Sequence, residues 1–320
     1  GTTPDTPDQG DSDQEGTQEA GWNLSDDGVL IISGNGNMDD YIFVEDSNTQ
    51  SGAAPWNPEA AKIQRVIITD GVTSIGDYAF FNCVNLTSVE SPDSVTSIGD
   101  SAFSQCTSLT DIALPQALTT ISPFTFQYCS SLSSISIPDS VISIEMFAFS
   151  HCSNLTSVSF PDSLQIIGQN AFSACTKLTG IQLPSQLTSL GMWAFTSCPG
   201  LTSIRIPEGI TTLGTSTFAN CSNLTEVVLP DTLTAIQPYA LSNCTSLTSI
   251  TIPSGVTSIG LSAFSQCSAL SEIHFTGDVP SLGSNWRIGC VPTIYYPADN
   301  PTWTQQVLTF TFFGLTTLPE

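Results

Sequence analysis

Basic residues are scarce in this sequence. Lys and Arg together number 5 among 320 residues, against 29 Asp and Glu, so the formal net charge is −24. Nucleic acids and anionic membrane surfaces are bound largely through Lys and Arg side chains. The composition therefore argues against both kinds of partner. Charged residues of either sign make up only 11%, so most of the polar surface must come from Ser and Thr.

Long apolar runs and familiar catalytic motifs are also missing. No apolar run reaches the roughly 20 residues of a membrane-spanning helix. The sequence begins at Gly1 in a polar segment without a signal peptide, and we expect that a leader precedes it in the full protein. No H-E-x-x-H, P-loop or G-x-S-x-G motif occurs. We predict a protein that is not an enzyme and that carries no cofactor.

What the sequence does contain is a strict repeat. Ten cysteines follow one another at a constant spacing of 23 residues: Cys83, Cys106, Cys129, Cys152, Cys175, Cys198, Cys221, Cys244, Cys267 and Cys290. A period of this length is typical of a solenoid in which each repeat forms one coil. We therefore predict an α/β repeat protein of about ten coils that stack on one another.

Other residues keep their place relative to each cysteine, which we number as position 0. Phe stands at −3 in eight coils, Leu at +3, Val or Ile at +6, Pro at +9, and aliphatic residues at +12 and +15. Ala79, Cys83 and Leu86 have the spacing of one face of a short helix. The residues from +6 to +8 alternate as in a half-buried strand that ends at the proline. Glycines such as Gly76, Gly99, Gly168 and Gly191 would permit a sharp bend into the helix.

The cysteines have two interpretations. An even number of cysteines in an exported protein often indicates disulfides. Here, however, stacking places identical thiols about 4.8 Å apart in an inward column, and no clustered C-x-x-C pair suggests a metal site. We favour buried free thiols, with no disulfide and no metal. Disulfides or a metal column remain the alternative.

The chain divides into four parts. Residues 1–21 hold six carboxylates and no large apolar side chain, which is typical of a flexible acidic tether. Within it Asp11, Asp13 and Glu15 imitate the start of a calcium loop, but Trp22 stands where the bidentate Glu should be. Residues 22–65 contain a predicted hairpin turn at Asp27-Gly28 and form an N-terminal cap. The solenoid covers 66–290. Residues 291–320, rich in aromatics, form a C-terminal cap or, alternatively, an aromatic binding patch.

The repeat unit, A-F-x-x-C-x-x-L-x-x-I-x-L-P-x-x-V-x-x-I-G, resembles the BspA-type leucine-rich repeat. The resemblance covers about residues 66–290, and the segments around Gly34-Asn35-Gly36 and TIYYPADNPTWT resemble the flanks of that family. It implies a right-handed leucine-rich-repeat solenoid with parallel strands and short helices. It also implies exposure outside the cell, anchored or secreted, and a role in adhesion or protein binding.

Positions +5 and +7 flank the inward +6 residue, so their side chains should point outward from the strands. Ser is the commonest residue among them, and the more distinctive members are Glu90, Asp111, Gln182, Arg205, Glu226, Thr251, Glu272 and His274. We predict that these residues bind a protein or glycan at a host or neighbouring cell surface, and that the protein is a monomer. The alternative is a structural spacer or surface-layer component with a merely solvated face.

Three other patterns coincide with the repeat and carry less weight. The nearly uniform Thr at +4 predicts a structural ladder of hydroxyl groups. His151 lies beside Cys152, but nine equivalent cysteines without a histidine argue for packing rather than for an activated thiolate. Asp93, Asp139, Asp162 and Asp231 are each followed by Ser or Thr, which resembles bacterial O-glycosylation sites, and N-x-T motifs occur at Asn85, Asn154 and Asn223.

Overall fold

Consecutive coils pair through two rows of short parallel strands. The computed structural model describes residues 21–46, 49–52, 54–312 and 314–320. Strands pair with their equivalents one full repeat away, as Ser134 does with Ser157 and Ile144 with Ile167. The predicted solenoid of stacked parallel coils is therefore confirmed. The tether with its calcium-like motif falls on residues 1–20, which lie outside the described part of the chain.

The first row contains the predicted strand before each proline. Its parallel strands are Val29–Ser33, Arg65–Ile68, Ser88–Glu90, Ser134–Ser136, Ser157–Ser159, Ser203–Arg205, Glu226–Val228, Ser249–Ile252, Glu272–Phe275, Thr293–Tyr296 and Thr317–Pro319. At its N-terminal edge Gly21–Leu24 pairs antiparallel with Val29–Ser33, which forms the predicted hairpin. In several coils the proline closely follows the strand. The proline carbonyl then accepts a hydrogen bond from a backbone amide three residues later, as the carbonyl of Pro138 does from the N–H of Val141 (3.0 Å). The proline therefore begins the turn toward the second row.

The second row contains the aliphatic residue at +15. Its strands are Gly36–Asn37, Val72–Ile75, Ser97–Ile98, Thr120–Ile121, Ser143–Ile144, Ile166–Ile167, Ser189–Leu190, Thr212–Leu213, Ala235–Ile236, Ser258–Ile259 and Ser281–Leu282. A separate antiparallel pair joins Phe43–Asp46 to Thr49–Gly52. The helices among the described residues are a 3-10 helix, Asn57–Lys62, and one α-helix, Gln305–Thr311. No helix in the described ranges is long and apolar enough to span a membrane.

The segment around each cysteine is a series of turns, so the prediction of a short helix there is wrong. Two residues per coil, at −5 and −1, have left-handed backbone conformations, such as Tyr78 (φ 54°) and Asn82 (φ 59°). Their amides donate to the next coil rather than along a helix: Asn82 N–H bonds the carbonyl of Ser104 at 2.9 Å. The spacing of Ala79, Cys83 and Leu86 still directs all three side chains into the core.

The glycines at −7 serve close approach between coils rather than a bend. Gly76, Gly99, Gly168 and Gly191 are not among the glycines with positive φ. A Cβ added to Gly191 would lie 2.5 Å from the backbone nitrogen of Gln169 in the preceding coil. Other coils carry larger residues at this position, for example Glu145, so the close approach is a local feature of the coils that carry glycine.

A continuous column of phenylalanines fills the core. Neighbouring rings from Phe80 to Phe218 stack with centroids 5.2 to 5.6 Å apart. Leu241 interrupts the column, and it is as fully buried as the phenylalanines. Because each ring lies between two others, burial and ring stacking both connect one coil to the next.

Tryptophans cover both ends of this core. At the N-terminal end Trp56 is 2% exposed, stacks on Phe80 at 5.8 Å, and donates from Nε1 to the carbonyl of Ala79. At the other end Trp303 and Phe312 are buried against Phe275 and each other. These aromatics of the C-terminal segment pack inward, which favours a cap over an aromatic binding patch.

The first prediction concerns the close approach at Gly191. Gly191→Ala should destabilise the protein by about 1–3 kcal/mol, because its methyl group overlaps backbone atoms that cannot rotate away. The matched control is Gly214→Ala in the next coil, whose added Cβ would meet the Thr217 hydroxyl at 3.0 Å and the Leu190 carbonyl at 3.5 Å. Urea unfolding followed by circular dichroism measures both, and equal midpoints would contradict the explanation.

The second prediction concerns the phenylalanine column. Phe149→Ala should cost about 3–5 kcal/mol, because it leaves a cavity between the rings of Phe126 and Phe172. Phe149→Leu should cost clearly less, since Leu241 already occupies the same position in another coil. Chemical denaturation gives both values. If Phe149→Ala left stability unchanged, the column would not be the source of cohesion between coils.

Candidate binding surface

The outward residues at +5 and +7 form one continuous surface along the first row, which we call the strand face. The +6 residues between them, such as Val158 and Ile204, are 8% and 3% exposed. Ser157, Ser159 and Arg205 on either side are exposed. The alternation follows from the pleat of the strand, which sends successive side chains to opposite faces.

Six of the eight predicted site residues lie in the C-terminal half of the strand face. These are Gln182, Arg205, Glu226, Thr251, Glu272 and His274. Strand pairing sets Thr251 directly beside His274 and Arg205 beside Val228. The repeat therefore brings side chains that are one full coil apart in sequence into adjacent places.

Arg205 is the one cation in this group. Among the residues that the structure describes, its guanidinium makes no ion pair, although Glu208 and Glu226 line the neighbouring depressions. An exposed guanidinium keeps its planar set of donors available for a carboxylate or carbonyl of a partner. This is the most distinctive chemistry on the strand face.

The other two predicted residues lie apart from this group. Glu90 is at the N-terminal end and forms an ion pair with Arg65. Asp111 is exposed in the next coil, and Ser and Ala side chains separate both residues from Gln182. Arg65 was missed as a member of the strand face, although it lies one repeat before Ser88 and the repeat alone places it there.

His274 is held by neighbours from the C-terminal segment. Its Nδ1 lies 2.6 Å from a side-chain oxygen of Glu320, and its Nε2 lies 3.3 Å from Glu272. Its ring stacks on Tyr295 at 4.4 Å. Tyr295 reaches this place because the last coil pairs out of step: Glu272 lies opposite Thr293 instead of its repeat equivalent, Tyr295. The C-terminal segment therefore completes the strand face and leaves His274 only partly exposed.

Shallow depressions follow one another along the strand face. One of about 590 Å³ is lined by Gln182, Ser203, Arg205 and Pro207. A second, of about 670 Å³, lies over Ser134, Ser157 and Gln182, and a third, of about 380 Å³, lies over Glu226 and Thr251. A row of open depressions suits an extended partner better than a small enclosed ligand.

Many hydroxyl groups on the coils are engaged by the fold itself. The Thr hydroxyls at +4 donate to the backbone of the preceding coil, as Thr156 does to the carbonyl of Ser133 at 2.9 Å. This confirms the structural hydroxyl ladder. The hydroxyls of Ser94 and Ser163, which follow Asp93 and Asp162, are likewise donated to carbonyls of the preceding coil. These contacts favour a structural role over glycosylation.

The ten cysteines are buried free thiols. From Cys106 onward each thiol donates to the carbonyl of the residue at −3 in the preceding coil, as Cys129 does to Phe103 at 3.2 Å. Burial raises the pKa of Cys83 and Cys221 to about 12, and that of the less buried Cys290 to about 11. The thiolate that nucleophilic or metal chemistry needs is therefore strongly disfavoured.

His151 and Cys152 are adjacent but make separate contacts. The Cys152 thiol donates to the carbonyl of Phe126, whereas Nδ1 of His151 lies 2.8 Å from the hydroxyl oxygen of Ser150. Ser150 is fully buried. Within the described residues, no three His, Cys, Asp or Glu side chains are grouped so that they could hold a metal ion.

Three carboxylates that the sequence analysis did not single out meet near the N-terminal end. Asp40 accepts the backbone N–H of Asp77, and Asp77 accepts that of Asp100. Partial burial, together with the charges of Asp77, Asp40 and Glu145, raises the pKa of Asp100. Since two of these side chains cap amides of the next coil, their arrangement is explained by the stacking of coils.

The repeats match the family model of the BspA type leucine rich repeat region over residues 59–179 and 166–292. The chain belongs to this family of repeat proteins. No curated protein matches the sequence.

Solved structures of other leucine-rich repeat proteins are similar to this chain. A leucine-rich repeat protein from Bacteroides ovatus is 24% identical, with 94% of this chain and 98% of that chain covered and a TM-score of 0.56. Leucine-rich repeat proteins from Eubacterium ventriosum (24% identity, 90% and 95% covered, TM-score 0.46) and T. pallidum (29% identity, 71% and 87% covered, TM-score 0.44) superpose less closely. The Bacteroides ovatus structure supports the solenoid fold and nothing more specific.

The third prediction concerns the thiols. In the folded protein at pH 8, a thiol-specific reagent such as Ellman's reagent should label fewer than one cysteine within minutes, because the thiolate form is suppressed by burial. In denaturant all 10 should react. Cys290, whose pKa is raised less than those of Cys83 and Cys221, should be modified first, and mass spectrometry identifies it. Rapid labelling of several cysteines in the native state would contradict the buried column.

Proposed function

We propose that this protein is a cell-surface or secreted binding module and that the strand face from Gln182 to His274 is its ligand surface. The partner would be a protein or glycan displayed by a host or neighbouring cell. A leucine-rich-repeat solenoid supplies the extended surface that such binding requires. We expect the chain to act as a monomer outside the cell.

The observation that carries the proposal is the position of Arg205. It is an exposed cation without an ion pair among the described residues, on a chain whose net charge is −24. It is the cation among the six distinctive residues and lines one of the depressions. Arg is also enriched among the residues that dominate the energy of protein interfaces.

A second candidate function is a structural spacer without a discrete ligand. The observation in its favour is the N-terminal half of the strand face, where Ser134, Ser136, Ser157 and Ser159 present short uniform hydroxyls. Such a surface offers few anchors for a partner.

The fourth prediction tests the strand face. The soluble chain is applied to an array of immobilised extracellular-matrix proteins, and Kd is measured for each protein that it binds. The triple variant Gln182→Ala, Arg205→Ala, Glu226→Ala should weaken binding at least tenfold, which corresponds to about 1.4 kcal/mol. Its net charge equals that of the unmodified protein, so general electrostatics cannot explain the loss.

The matched control removes one amide, one cation and one carboxylate that are not at +5 or +7, from the coils of Cys152 and Cys175: Gln165→Ala, Lys177→Ala, Asp162→Ala. It should bind like the unmodified chain. Two results would count against the proposal. One is a triple variant that retains full affinity. The other is an unmodified chain that binds nothing on the array, which would favour the spacer.

A further inference from the structure

Four aromatic rings crowd the turn segments of two adjacent coils. Phe124 and Phe147 stack with centroids 5.1 Å apart, and Tyr128 and His151 stack at 4.5 Å. Met146 adjoins them in sequence and is 39% exposed, while Tyr128 is 42% exposed. We call these five residues the turn patch. It occupies positions −6, −5 and −1 and therefore lies on a different segment of the coil from the strand face.

The four rings sit where bulky residues are unfavourable. Phe124, Tyr128, Phe147 and His151 have φ between 56° and 63°, in the left-handed region that glycine and asparagine adopt most readily. Most other coils carry smaller residues at −5, and none carries an aromatic ring at −1: Ser101 and Gln105 in the coil before, Asn170 and Ala174 in the coil after. The fold therefore does not require these rings. Strain that the fold does not need is characteristic of functional sites.

The turn patch is also free of charge. Each turn segment runs from position −5 to the cysteine. None of these segments between Ser101 and Cys267 contains Asp, Glu, Lys or Arg. Desolvation lowers the pKa of His151, so its imidazole is neutral at pH 7. The chain as a whole carries a net charge of −24. A second copy of this chain or an anionic ligand would meet repulsion, and a cationic ligand would find no carboxylate in these segments.

Stacking leaves one face of each ring without an aromatic neighbour. The faces of Phe147 and His151 away from their stacking partners look toward the next coil, where only Asn170 and Ala174 stand. The next ring at −5 belongs to Trp193, two coils from Phe147. At about 4.8 Å per coil, that spacing is roughly 10 Å. The coil of Asn170 lies between these two rings and contributes an amide side chain but no aromatic ring at −5.

The surroundings of the rings are polar. Asn170 and Gln105 are partly exposed beside the patch and offer amide groups, and the exposed His151 offers its imidazole, which is positioned by the buried hydroxyls of Ser150 and Ser173. A docking peptide helix would need a broad, continuous apolar surface. A sugar instead presents C–H groups to the electronegative face of an aromatic ring and hydroxyls to polar neighbours.

We propose that the turn patch is a second binding site, which takes an uncharged oligosaccharide whose sugar rings pack against the open faces of Phe147 and His151. This site is independent of the strand face. The protein would then have two binding surfaces, which lie on different segments of the coil.

The fifth prediction is tested with an array of uncharged oligosaccharides, including linear hexamers of glucose, mannose and xylose, and with sulfated and sialylated oligosaccharides as anionic comparisons. The unmodified chain should bind at least one uncharged oligosaccharide and none of the anionic ones more tightly. The double variant Phe147→Asn, His151→Ala copies Asn170 and Ala174 of the next coil. It should weaken that binding at least tenfold, as measured by isothermal titration calorimetry.

The double variant should also keep or raise the denaturation midpoint, because asparagine tolerates the left-handed conformation better than phenylalanine. Tyr128→Gln, which copies Gln105, provides a second test at an exposed position and should weaken binding as well. The triple strand-face variant at Gln182, Arg205 and Glu226 should bind the oligosaccharide normally. This separates failure of the turn patch from failure of the strand face.

Three results would overturn the proposal. The first is that the unmodified chain binds no uncharged oligosaccharide at millimolar concentration. The second is that the turn-patch variants bind as tightly as the unmodified chain. The third is that the strand-face variant, rather than the turn-patch variants, loses binding of the oligosaccharide. Binding of an apolar peptide to the patch in place of a sugar would equally contradict it.

Discussion

Hydrogen bonds between the backbones of consecutive coils are the constraint on which the rest of this structure depends. They join the strands of both rows and also the turn segments, where amides such as those of Phe80 and Asn82 donate to the next coil. Each coil can satisfy its own polar groups only with a neighbour at a fixed distance. Every coil must therefore have nearly the same length and the same path, and the constant spacing of the cysteines is a consequence. The nearly constant distance between the stacked phenylalanine rings follows from the same constraint.

The same constraint explains the unusual composition. Backbone carbonyls have a second lone pair, and small donors from the following coil occupy it: the Thr hydroxyls at +4 and the thiols in the core. A long charged side chain at these positions could not make such contacts within one strand spacing. Ser, Thr and Cys are therefore used repeatedly, and charged residues are few. It also follows that a row of hydroxyls on this fold is weak evidence for a ligand, because most of them already have partners.

Residues that depart from the repeat without serving the stacking are better evidence. On the strand face Arg205 stands among neutral and acidic neighbours without an ion pair in the described part of the chain. On the turn segments Phe147 occupies a left-handed conformation that Asn170 adopts more readily in the next coil, and His151 stands where the next coil has Ala174. Because the ten coils provide many internal comparisons, each exception can be judged against residues in an equivalent environment. The two proposed surfaces rest on that comparison, and they lie on different segments of the coil.

The sequence by itself determined the period, the inward columns and the outward direction of the +5 and +7 side chains, since these depend only on spacing and on the alternation of a strand. It also located Trp56 at one end of the core. Only the tertiary structure decided the conformation of the turn segments, because left-handed residues such as Asn82 are stabilised by a carbonyl of the next coil. The placement of Tyr295 against His274 likewise depends on a change of register in the last pairing. Spacing carries information about contacts that recur with the repeat, whereas hydrogen bonds between coils, and the places where the register changes, exist only once the coils have stacked.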